Sequence, residues 1–278
     1  MAEITAAAVK AFREKTGLPM MDCKRALTEA EGDEALAMEI LRKKGLAKMS
    51  EKSAERSTEE GVIAIARQDG SIGMVELLCE SAPVASNPDF LQLADDIAAV
   101  VAANPLFDSV ETLMAQKSPS REGTLQSQLE ELFNRIREVF RVNRYVKVDG
   151  KASQYLHHDR KSAVLLLLEE GCEEVGRDIC MHIAAMRPEG LDKDDIDPAI
   201  IENERRIQTE LMEADPANAK KPENIKQKIL DGKMGAFLAQ KCLLSQPFVK
   251  EAELTVGQFA EKSGLKIQKF IHWMLGKK

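Results

Sequence analysis

The spacing of hydrophobic residues changes near residue 61, from a helical period before it to strand-like runs after it. Residues 1–45 carry apolar side chains at intervals of three and four, which indicates three short helices. After the change, two apolar runs flank Gln68-Asp69-Gly70-Ser71, where the Asp-Gly pair favours the tight turn of a β-hairpin. A chain that begins with helices and continues with hairpins and helices is predicted to have an α+β fold with antiparallel hairpins.

The three N-terminal helices have recognisable start and stop signals. Gly17 ends the first helix and Asp22 caps the second, which Gly32 terminates at its C′ position. Asp33 then caps the third helix, and Gly45 follows it. Residues 1–46 are therefore predicted to form a three-helix bundle, and the highly charged residues 47–60 form a linker that is helical in part.

A hairpin followed by a helix and a proline stop occurs twice in the next part of the chain. The first such helix starts at Pro88 and ends before Pro105, and residues 124–140 form another helix. The second hairpin, Ser153–His157 with Ser162–Leu168, precedes a helix that ends before Pro188. This repetition predicts two related subdomains. Subdomain N spans 61–148, and subdomain C spans 149–195 and returns in 247–278 with the C-terminal segment.

Residues 196–246 are predicted to form an antiparallel helical hairpin. Asp197-Pro198 is a cap followed by a proline at the first helical position, and a loop over 215–222 separates the two helices. The predicted seam consists of Ile196, Ile200, Ile207 and Leu211, and Asn203 lies on the same seam. In the tail, Thr255-Val256-Gly257 begins a helix, and KIQKFIHWML fits either a strand or a helix.

Charge and composition exclude several classes of function. A net charge of −7 with 4% aromatic residues argues against binding nucleic acid through its phosphates or by base stacking. The longest apolar run, Ala163–Leu168, is too short to span a membrane, which takes ~20 residues, and the first residues resemble no signal peptide. The five cysteines include no C-x-x-C pair, so we expect buried thiols in a reducing cytoplasm.

The common catalytic and metal-binding motifs are missing from the sequence. There is no phosphate-binding glycine loop, no H-E-x-x-H and no G-x-S-x-G. His157 and His158 would point to opposite faces of a strand, so neither a metal site nor a cofactor is expected. The residues alone predict a multidomain binding protein and not an enzyme, with an enzyme that uses an unrecognised carboxylate site as the alternative.

Five segments resemble the elongation factor Ts family, in family order and at family spacing: ITAAAVKAFREKTGLPMMDCKRALTEAEGD, QYLHHDR, MHIAAMRP, CLLSQPFV and TVGQF. The resemblance implies a bundle like a ubiquitin-associated domain, a two-part α+β core, a protruding helical hairpin and a C-terminal module. It also implies a guanine-nucleotide exchange factor. Such a factor binds elongation factor Tu–GDP, disturbs the Mg²⁺ and phosphate sites, and promotes GDP release during translation elongation without a cofactor.

The family places contacts to the GTPase in the first two helices. On this resemblance Met20 and Met21 contact the partner, against the alternative that they fill the bundle core. Lys10 and Arg13, three residues apart, would face the nucleotide-binding domain of the GTPase, against the alternative of a solvated helix face.

The Thr-Asp-Phe-Val segment that the family has after the first hairpin reads Ser81-Ala82-Pro83-Val84 in this chain. In the family the Asp-Phe pair pushes toward the Mg²⁺ and phosphate region, so both the carboxylate and the aromatic wedge are replaced here. Pro83 has a fixed φ and no N–H, which predicts a stiff, extended loop that wedges sterically. Phe90 is expected in the core, with Asp89-Phe90 as a displaced wedge the alternative.

Three more positions have a predicted role. His157 matches the family histidine of the second hairpin, which inserts beside the nucleotide-proximal helices of the GTPase; the alternative is an exposed strand histidine. Ile136 matches a family contact position and fits a helix core equally well. His182 lies on a helix among apolar neighbours and is predicted to be structural.

Two questions stay open at the level of sequence. The change at Ala82-Pro83 supports a second function, that of a divergent paralogue which binds the GTPase without exchanging its nucleotide. The helical hairpin either mediates a homodimer or a heterotetramer, or Asn203 fixes its intramolecular register.

Overall fold

The computed structural model describes residues 4–105, 107–215, 217 and 221–277, except for the side chains of residues 46–55. Its fold is α+β with antiparallel strand pairs, as predicted. The chain divides into two compact units. The first unit is drawn from residues 1–149, 158–161 and 274–278, and the second from residues 150–157 and 162–273.

The first unit begins with three helices: α1 (Ala6–Thr16), α2 (Met20–Glu29) and α3 (Glu34–Glu55). Gly17 ends α1 in the left-handed conformation, as predicted, and its N–H donates to the Arg13 carbonyl. Asp33 caps α3, since its Oδ1 accepts hydrogen bonds from the N–H groups of Ala35 and Leu36. The small core between these helices consists of Val9, Phe12, Leu18, Cys23, Ala26, Leu27, Ala30, Ala37 and Leu41.

Two predicted boundaries of α2 are wrong. The helix begins at Met20 with Pro19 as its N-cap, so Asp22 lies in the first turn and does not cap it. At the other end, Glu31 takes the C′ position with a φ of 51°, and Gly32 follows it. Gly32 donates its N–H to the Leu27 carbonyl at 2.9 Å, which is the outer hydrogen bond of a Schellman ending. Gly32 therefore takes part in the helix ending from the C″ position, one residue after the predicted C′ position.

The predicted stop of α3 at Gly45 is also wrong, because the helix continues to Glu55. Gly45 is required for packing against α7 (Leu125–Ile136). A Cβ at this position would lie 2.7 Å from Asn134 Cγ and would overlap the amide group of that side chain. The glycine thus marks a close approach of two helices, and the predicted linker is helical as far as Glu55.

The first sheet has the order β1-β2-β3 and consists of β1 (Glu60–Gln68), β2 (Ser71–Cys79) and β3 (Arg141–Asp149). Asp69 and Gly70 form the turn between β1 and β2 with φ values of 48° and 82°, which confirms the predicted Asp-Gly hairpin. The antiparallel pairing of β3 with β2 was not predicted. The β-branched and aromatic residues Val142, Tyr145, Val146 and Val148 were the available signal.

The helices between β2 and β3 are α4 (Ala82–Ala85), α5 (Pro88–Ala103), α6 (Val110–Met114) and α7. Helices α4 and α5 pack on the sheet, and α6 and α7 pack against α5. The start of α5 at Pro88 is confirmed, with Asn87 as its cap. Helix α7 ends at Ile136 and not near residue 140, because Arg137 adopts a left-handed conformation with a φ of 68°. Phe140 then packs its ring 5.4 Å from that of Phe90 in the core.

The second unit contains the sheet β4-β5-β8, made of β4 (Ala152–Leu156), β5 (Ser162–Glu170) and β8 (Lys266–Met274). The predicted second hairpin is confirmed. The segment KIQKFIHWML, for which the sequence allowed a strand or a helix, forms the strand β8. Helix α8 (Glu173–Met186) ends before Pro188, as predicted. A short antiparallel strand pair, β6 (Pro247–Phe248) with β7 (Glu251–Thr255), lies before β8 in the chain.

The helical hairpin of this unit consists of α9 (Pro198–Ala214) and α10 (Glu223–Lys241), and α11 (Val256–Lys262) follows the short strand pair. Asp197 caps α9, as predicted. The predicted seam is wrong at Ile200 and Leu211, which are 41% and 55% exposed, whereas Ile196 is buried and Ile207 half-buried. The contact is made by residues on another face of α9 and on α10, namely Ile201, Met212, Ile229, Leu230, Met234 and Phe237.

The predicted role of Asn203 in the seam is wrong as well. Its side chain is exposed, and its Oδ1 accepts a hydrogen bond from Arg206 on the same helix. The predicted loop over 215–222 lies partly outside the described residues. The packed face is offset by one residue from the predicted one, because Ile201 and Met212, which follow Ile200 and Leu211, supply the packed side chains.

The expectation of buried thiols is correct for four of the five cysteines. Cys23, Cys79, Cys180 and Cys242 are buried, whereas Cys172 is exposed at the start of α8. Cys172 is the N-cap residue of that helix, and such a position lies at the surface in a loop that follows Gly171.

Candidate functional site

The N-terminal bundle presents four candidate side chains to solvent. Lys10 and Arg13 are exposed on α1, and Lys10 pairs with Glu14 at 4.0 Å, a surface pair that contributes little. Met20 and Met21 open α2 and are 48% and 57% exposed. The alternative that the methionines fill the bundle core is therefore wrong. Two adjacent exposed methionines form a small apolar surface of the adaptable kind that binding sites use.

The segment Ser81-Ala82-Pro83-Val84 begins with an N-cap and continues into the one-turn helix α4. The expectation of an extended loop is wrong, because Pro83 lies in the first turn of the helix, where its missing N–H is not needed. Ala82 and Pro83 are exposed, and Val84 packs against the core of the first unit. The turn consequently presents a compact apolar tip on a buried base.

Glu138 fixes the base of this turn. Ser81 donates its N–H to Glu138 Oε2 at 3.1 Å and its hydroxyl to Glu138 Oε1 at 2.6 Å. Hydrogen bonds to a carboxylate are stronger than those between neutral groups. The backbone at the start of the turn is therefore held by a bidentate contact from a residue 57 positions away.

Glu80 makes the converse contact. Its Oε1 accepts a hydrogen bond from the Val139 N–H at 2.8 Å, and its carboxylate pairs with Arg56. Beside it, the Cys79 thiol donates to the Ser81 carbonyl at 3.3 Å. Burial, with the nearby Glu138 carboxylate, raises the pKa of Cys79 to about 12, so that the thiol keeps the proton it donates.

Ile136 and Arg137 connect this region to the bundle. Ile136 is the last residue of α7 and packs, half-buried, against the core of the first unit. Arg137 donates from Nη2 to Asp22 Oδ2 at 2.6 Å, and Asp22 directly follows Met21 in the first turn of α2. The side chain of Asp22 thus contacts the end of α7 instead of capping its own helix.

Phe90 is fully buried in the core of the first unit, as predicted. The alternative of a displaced Asp89-Phe90 wedge is wrong, since Asp89 pairs with Arg121 at 2.5 Å and with Arg135 at 2.9 Å. Burial alone would raise the pKa of Asp89, but the two guanidinium groups hold it below its ordinary value. The Asp89 carboxylate therefore has a structural role, since both of its oxygens pair with arginines of the same unit.

His157 lies in the second unit, one residue after β4. Its Nδ1 lies 2.8 Å from the Tyr155 hydroxyl, and its backbone N–H donates to the Ser162 carbonyl at 2.9 Å. The ring is half-buried, so the alternative of a fully exposed strand histidine does not describe it. Tyr155 packs against the core of the second unit and orients the imidazole.

His182 is a buried structural residue, as predicted. Its Nδ1 accepts a hydrogen bond from the Val249 N–H at 3.3 Å, and its Nε2 lies 2.8 Å from Gln246 Oε1. This pattern requires the proton on Nε2. Burial lowers the pKa of His182, partly offset by the bond to Gln246, and the imidazole is not available for binding.

The predicted site residues are divided between the two units. The candidates from Lys10 to Ile136 belong to the first unit, and His157 belongs to the second. Sequence analysis missed Glu80, Arg137 and Glu138, which hold the turn and the start of α2. These contacts join residues 57 or more positions apart, so no local pattern indicated them.

Within the described residues, no three His, Cys, Asp or Glu side chains are grouped to hold a metal ion. None of the helices there is long and apolar enough to cross a membrane. Six of the candidate side chains are exposed on helices and turns, namely Lys10, Arg13, Met20, Met21, Ala82 and Pro83, whereas Ser81, Val84, Ile136 and His157 are half-buried. The exposed apolar side chains Met20 and Met21, and the exposed tip Ala82-Pro83, are of the kind that protein-binding surfaces use.

Comparison with known proteins identifies the family. The profile of the family described as "Elongation factor TS" matches residues 83–277. The chain is 38% identical to elongation factor Ts of Methylococcus capsulatus, over 98% of this chain and 92% of that protein. It is 40% identical to elongation factor Ts of Azoarcus sp. (strain BH72) and of Bordetella avium, in each case over 99% of this chain and 92% of the relative. The chain belongs to the elongation factor Ts family, and its role is that of an elongation factor in protein biosynthesis.

Proposed function

We propose that this chain is a guanine-nucleotide exchange factor. It binds elongation factor Tu–GDP, perturbs the Mg²⁺ and phosphate site, and promotes the release of GDP during translation elongation. The observation that carries this proposal is the family match over nearly the whole chain, which includes the bundle, the α4 turn and the second hairpin. No covalent bond is made or broken and no cofactor takes part.

The physical basis of exchange is a coupling between two ligands of the GTPase. The factor lowers the affinity for GDP, and GDP lowers the affinity for the factor by the same ratio. A hundredfold weakening of GDP binding takes about 2.7 kcal/mol. The contacts between the factor and the GTPase must therefore be more favourable in the nucleotide-free state than in the GDP-bound state.

The proposal assigns the candidate residues to two tasks. Lys10, Arg13, Met20 and Met21 bind the GTPase through the exposed face of the bundle. The turn from Ser81 to Val84 then presses on the nucleotide site by its shape, since Ala82 and Pro83 carry neither charge nor aromatic ring. Ile136 borders this surface, and His157 contacts the GTPase from the second hairpin.

A second candidate function follows from the same turn. Because Ala82 and Pro83 stand where the family has its Asp-Phe pair, the chain can be a divergent paralogue that binds the GTPase without exchanging nucleotide. The two functions differ in one measurable quantity. Both predict a complex on a sizing column, but only the exchange factor shortens the residence time of GDP.

The experiment uses the purified chain and elongation factor Tu of the same organism. The GTPase is loaded with fluorescent GDP, and complex formation and GDP dissociation are measured on the same samples. Complex formation with faster release supports the exchange factor. Complex formation with an unchanged release rate supports the paralogue, and no complex at saturating concentrations contradicts both.

Replacement of His157 tests the second hairpin. We expect His157→Ala to lower the rate of GDP release by at least about tenfold, because a partner hydrogen bond worth ~1.4 kcal/mol is lost at the moment of exchange. The control is His158→Ala, which removes an exposed imidazole at the neighbouring position. Equal rates for the two variants would contradict a role for His157.

Substitution of the turn tests whether its shape suffices. The double change Ala82→Asp with Pro83→Phe restores the family pair at exposed positions, so we expect it to preserve or raise the release rate without unfolding the chain. Ala115→Asp adds a charge at an exposed position of the same unit and serves as the control. A slower rate in the double variant alone would contradict the expectation that the family pair can act at this position of the turn.

The remaining parts of the proposal concern organisation. We infer a bundle of the ubiquitin-associated type over 1–46, a linker over 47–60, core subdomains over 61–148 and 149–195 with 247–278, and a protruding hairpin over 196–246. We also infer that the protein acts in the cytoplasm, without nucleic acid or membrane as a partner. A homodimer or heterotetramer formed through the hairpin stays a prediction.

A further inference from the structure

Two adjacent residues, Arg137 and Glu138, contact the two parts of the first unit that the proposed function uses. Arg137 binds Asp22 at 2.6 Å, in the helical turn that carries Met20 and Met21. Glu138 binds the N–H and hydroxyl of Ser81 at 3.1 and 2.6 Å, at the base of the α4 turn. The two side chains lie next to each other in sequence and reach in different directions.

The backbone at this point makes the divergence possible. Arg137 ends α7 in the left-handed conformation with a φ of 68°, and its N–H closes on the Phe133 carbonyl at 2.7 Å. This reversal separates the directions of the two side chains. The next residue, Val139, donates its N–H to Glu80 at 2.8 Å, so the segments 137–139 and 79–81 exchange carboxylate-to-backbone contacts in both directions.

We propose that Arg137 and Glu138 are positioning residues that set the geometry between the partner-binding face of α2 and the α4 turn. This inference rests on the proposed function. When the GTPase binds the exposed face at Met20 and Met21, the ion pair to Asp22 and the bidentate contact to Ser81 place the turn against the nucleotide site. Neither residue needs to touch the GTPase itself.

We call the Arg137–Asp22 and Glu138–Ser81 contacts the joint. A rigid joint is important in this chain because the tip of the turn carries no charge. The exposed residues of the turn, Ala82 and Pro83, offer only shape, and shape acts through exact placement. Both contacts of the joint are charge-assisted, and all of their atoms are at most half-exposed, which keeps solvent screening low.

The readout that separates positioning from stability is a ratio of affinities. The dissociation constants of the factor for GDP-bound and for nucleotide-free elongation factor Tu are measured. The first constant divided by the second gives the coupling. A variant that is merely less folded loses both affinities in parallel and keeps the ratio. A variant with a loose joint binds through α2 as before but discriminates less between the two states.

The variants are Arg137→Gly, Glu138→Ala and the control Glu131→Ala. Glycine accepts the positive φ of position 137, so Arg137→Gly removes the guanidinium without adding backbone strain. Glu131 is an exposed acid on α7 whose pair with Arg121 is 3.8 Å long. If Glu138→Ala does not fold, Glu138→Gln takes its place, because it keeps one acceptor oxygen for Ser81.

We expect the ratio to fall about tenfold in the first two variants and to stay unchanged in the control. Arg137→Lys, which keeps the charge, recovers part of the loss. A wild-type ratio in Arg137→Gly and Glu138→Ala would overturn the inference and leave the exchange function standing. A ratio of one for the unaltered chain would overturn the exchange function itself, and the inference with it.

Discussion

His182 shows how a buried imidazole ties elements of the second unit together. The Nδ1 atom accepts from the Val249 N–H and the protonated Nε2 faces Gln246, whose amide in turn donates to the Gln240 carbonyl at 2.7 Å. A second ring proton would have to point at the Val249 N–H and would find no acceptor there. The charged form is therefore disfavoured in the folded protein.

This arrangement predicts a pH dependence of stability. Because burial lowers the pKa of His182, the unfolded chain binds more protons than the folded one below the ordinary histidine pKa of about 6.5. The contribution is present above that pH and is lost as the pH falls through the lowered pKa. We expect the free energy of unfolding to decrease between about pH 7 and about pH 5, by ~1.4 kcal/mol for each unit of lowering.

Urea unfolding of His182→Asn and of the control His158→Asn at the two pH values checks this expectation. The first substitution should make the unfolding free energy depend less on pH, and the control makes the same substitution at an exposed position. Part of the dependence should remain, since burial and the Arg187 charge also lower the pKa of His272. A full dependence in His182→Asn would contradict the assignment.

Single residues differ in how far the sequence reveals them. The core position of Phe90 and the structural role of His182 follow from apolar neighbours at helical spacing, and both predictions are confirmed. Glu138 has no such local signal, because its partner Ser81 is 57 positions away and both residues are common at surfaces. The exposed methionines were recognised only through the family resemblance.

Among the elements, helices were predicted well where a cap or a proline marks their ends, as for α5 and α8. The errors occur where tertiary contacts override a local signal. Gly45 and the α4 turn are examples: the glycine allows a close approach inside a long helix, and Pro83 starts a helical turn instead of breaking one. The strand β3 was missed because its partner β2 precedes it by a long stretch of helices.

Gly45 and Gly232 are matched helical glycines that should respond in opposite ways to alanine. In Gly45→Ala the new Cβ overlaps the amide of Asn134, a short and largely buried side chain, so we expect a loss of about 1–3 kcal/mol. In Gly232→Ala nothing lies within 4 Å, and the helix should gain about 0.5–1 kcal/mol. Urea unfolding measures both changes, and a stabilised Gly45→Ala would show that α3 and α7 do not pack closely.

The two units of the whole molecule are interleaved along the chain, which sequence analysis did not predict. The first unit includes residues 158–161, from the turn of the second hairpin, and residues from the C-terminal end. Arg160 in that turn pairs with Asp95 at 2.6 Å and accepts the Ile63 N–H at its carbonyl, so the turn is bound to β1 and α5. Such contacts depend on the folded path of the chain and leave no periodic pattern.

The most direct test of the proposed exchange function is the rate at which fluorescent GDP leaves elongation factor Tu of the same organism. Release is started by excess unlabelled GDP and followed at increasing concentrations of this chain until the rate reaches a plateau. We expect a plateau rate well above the spontaneous rate, and about a hundredfold above it where ~2.7 kcal/mol of coupling acts wholly on GDP dissociation and leaves GDP association unchanged. A rate that stays at the spontaneous value while the complex forms would contradict the exchange function.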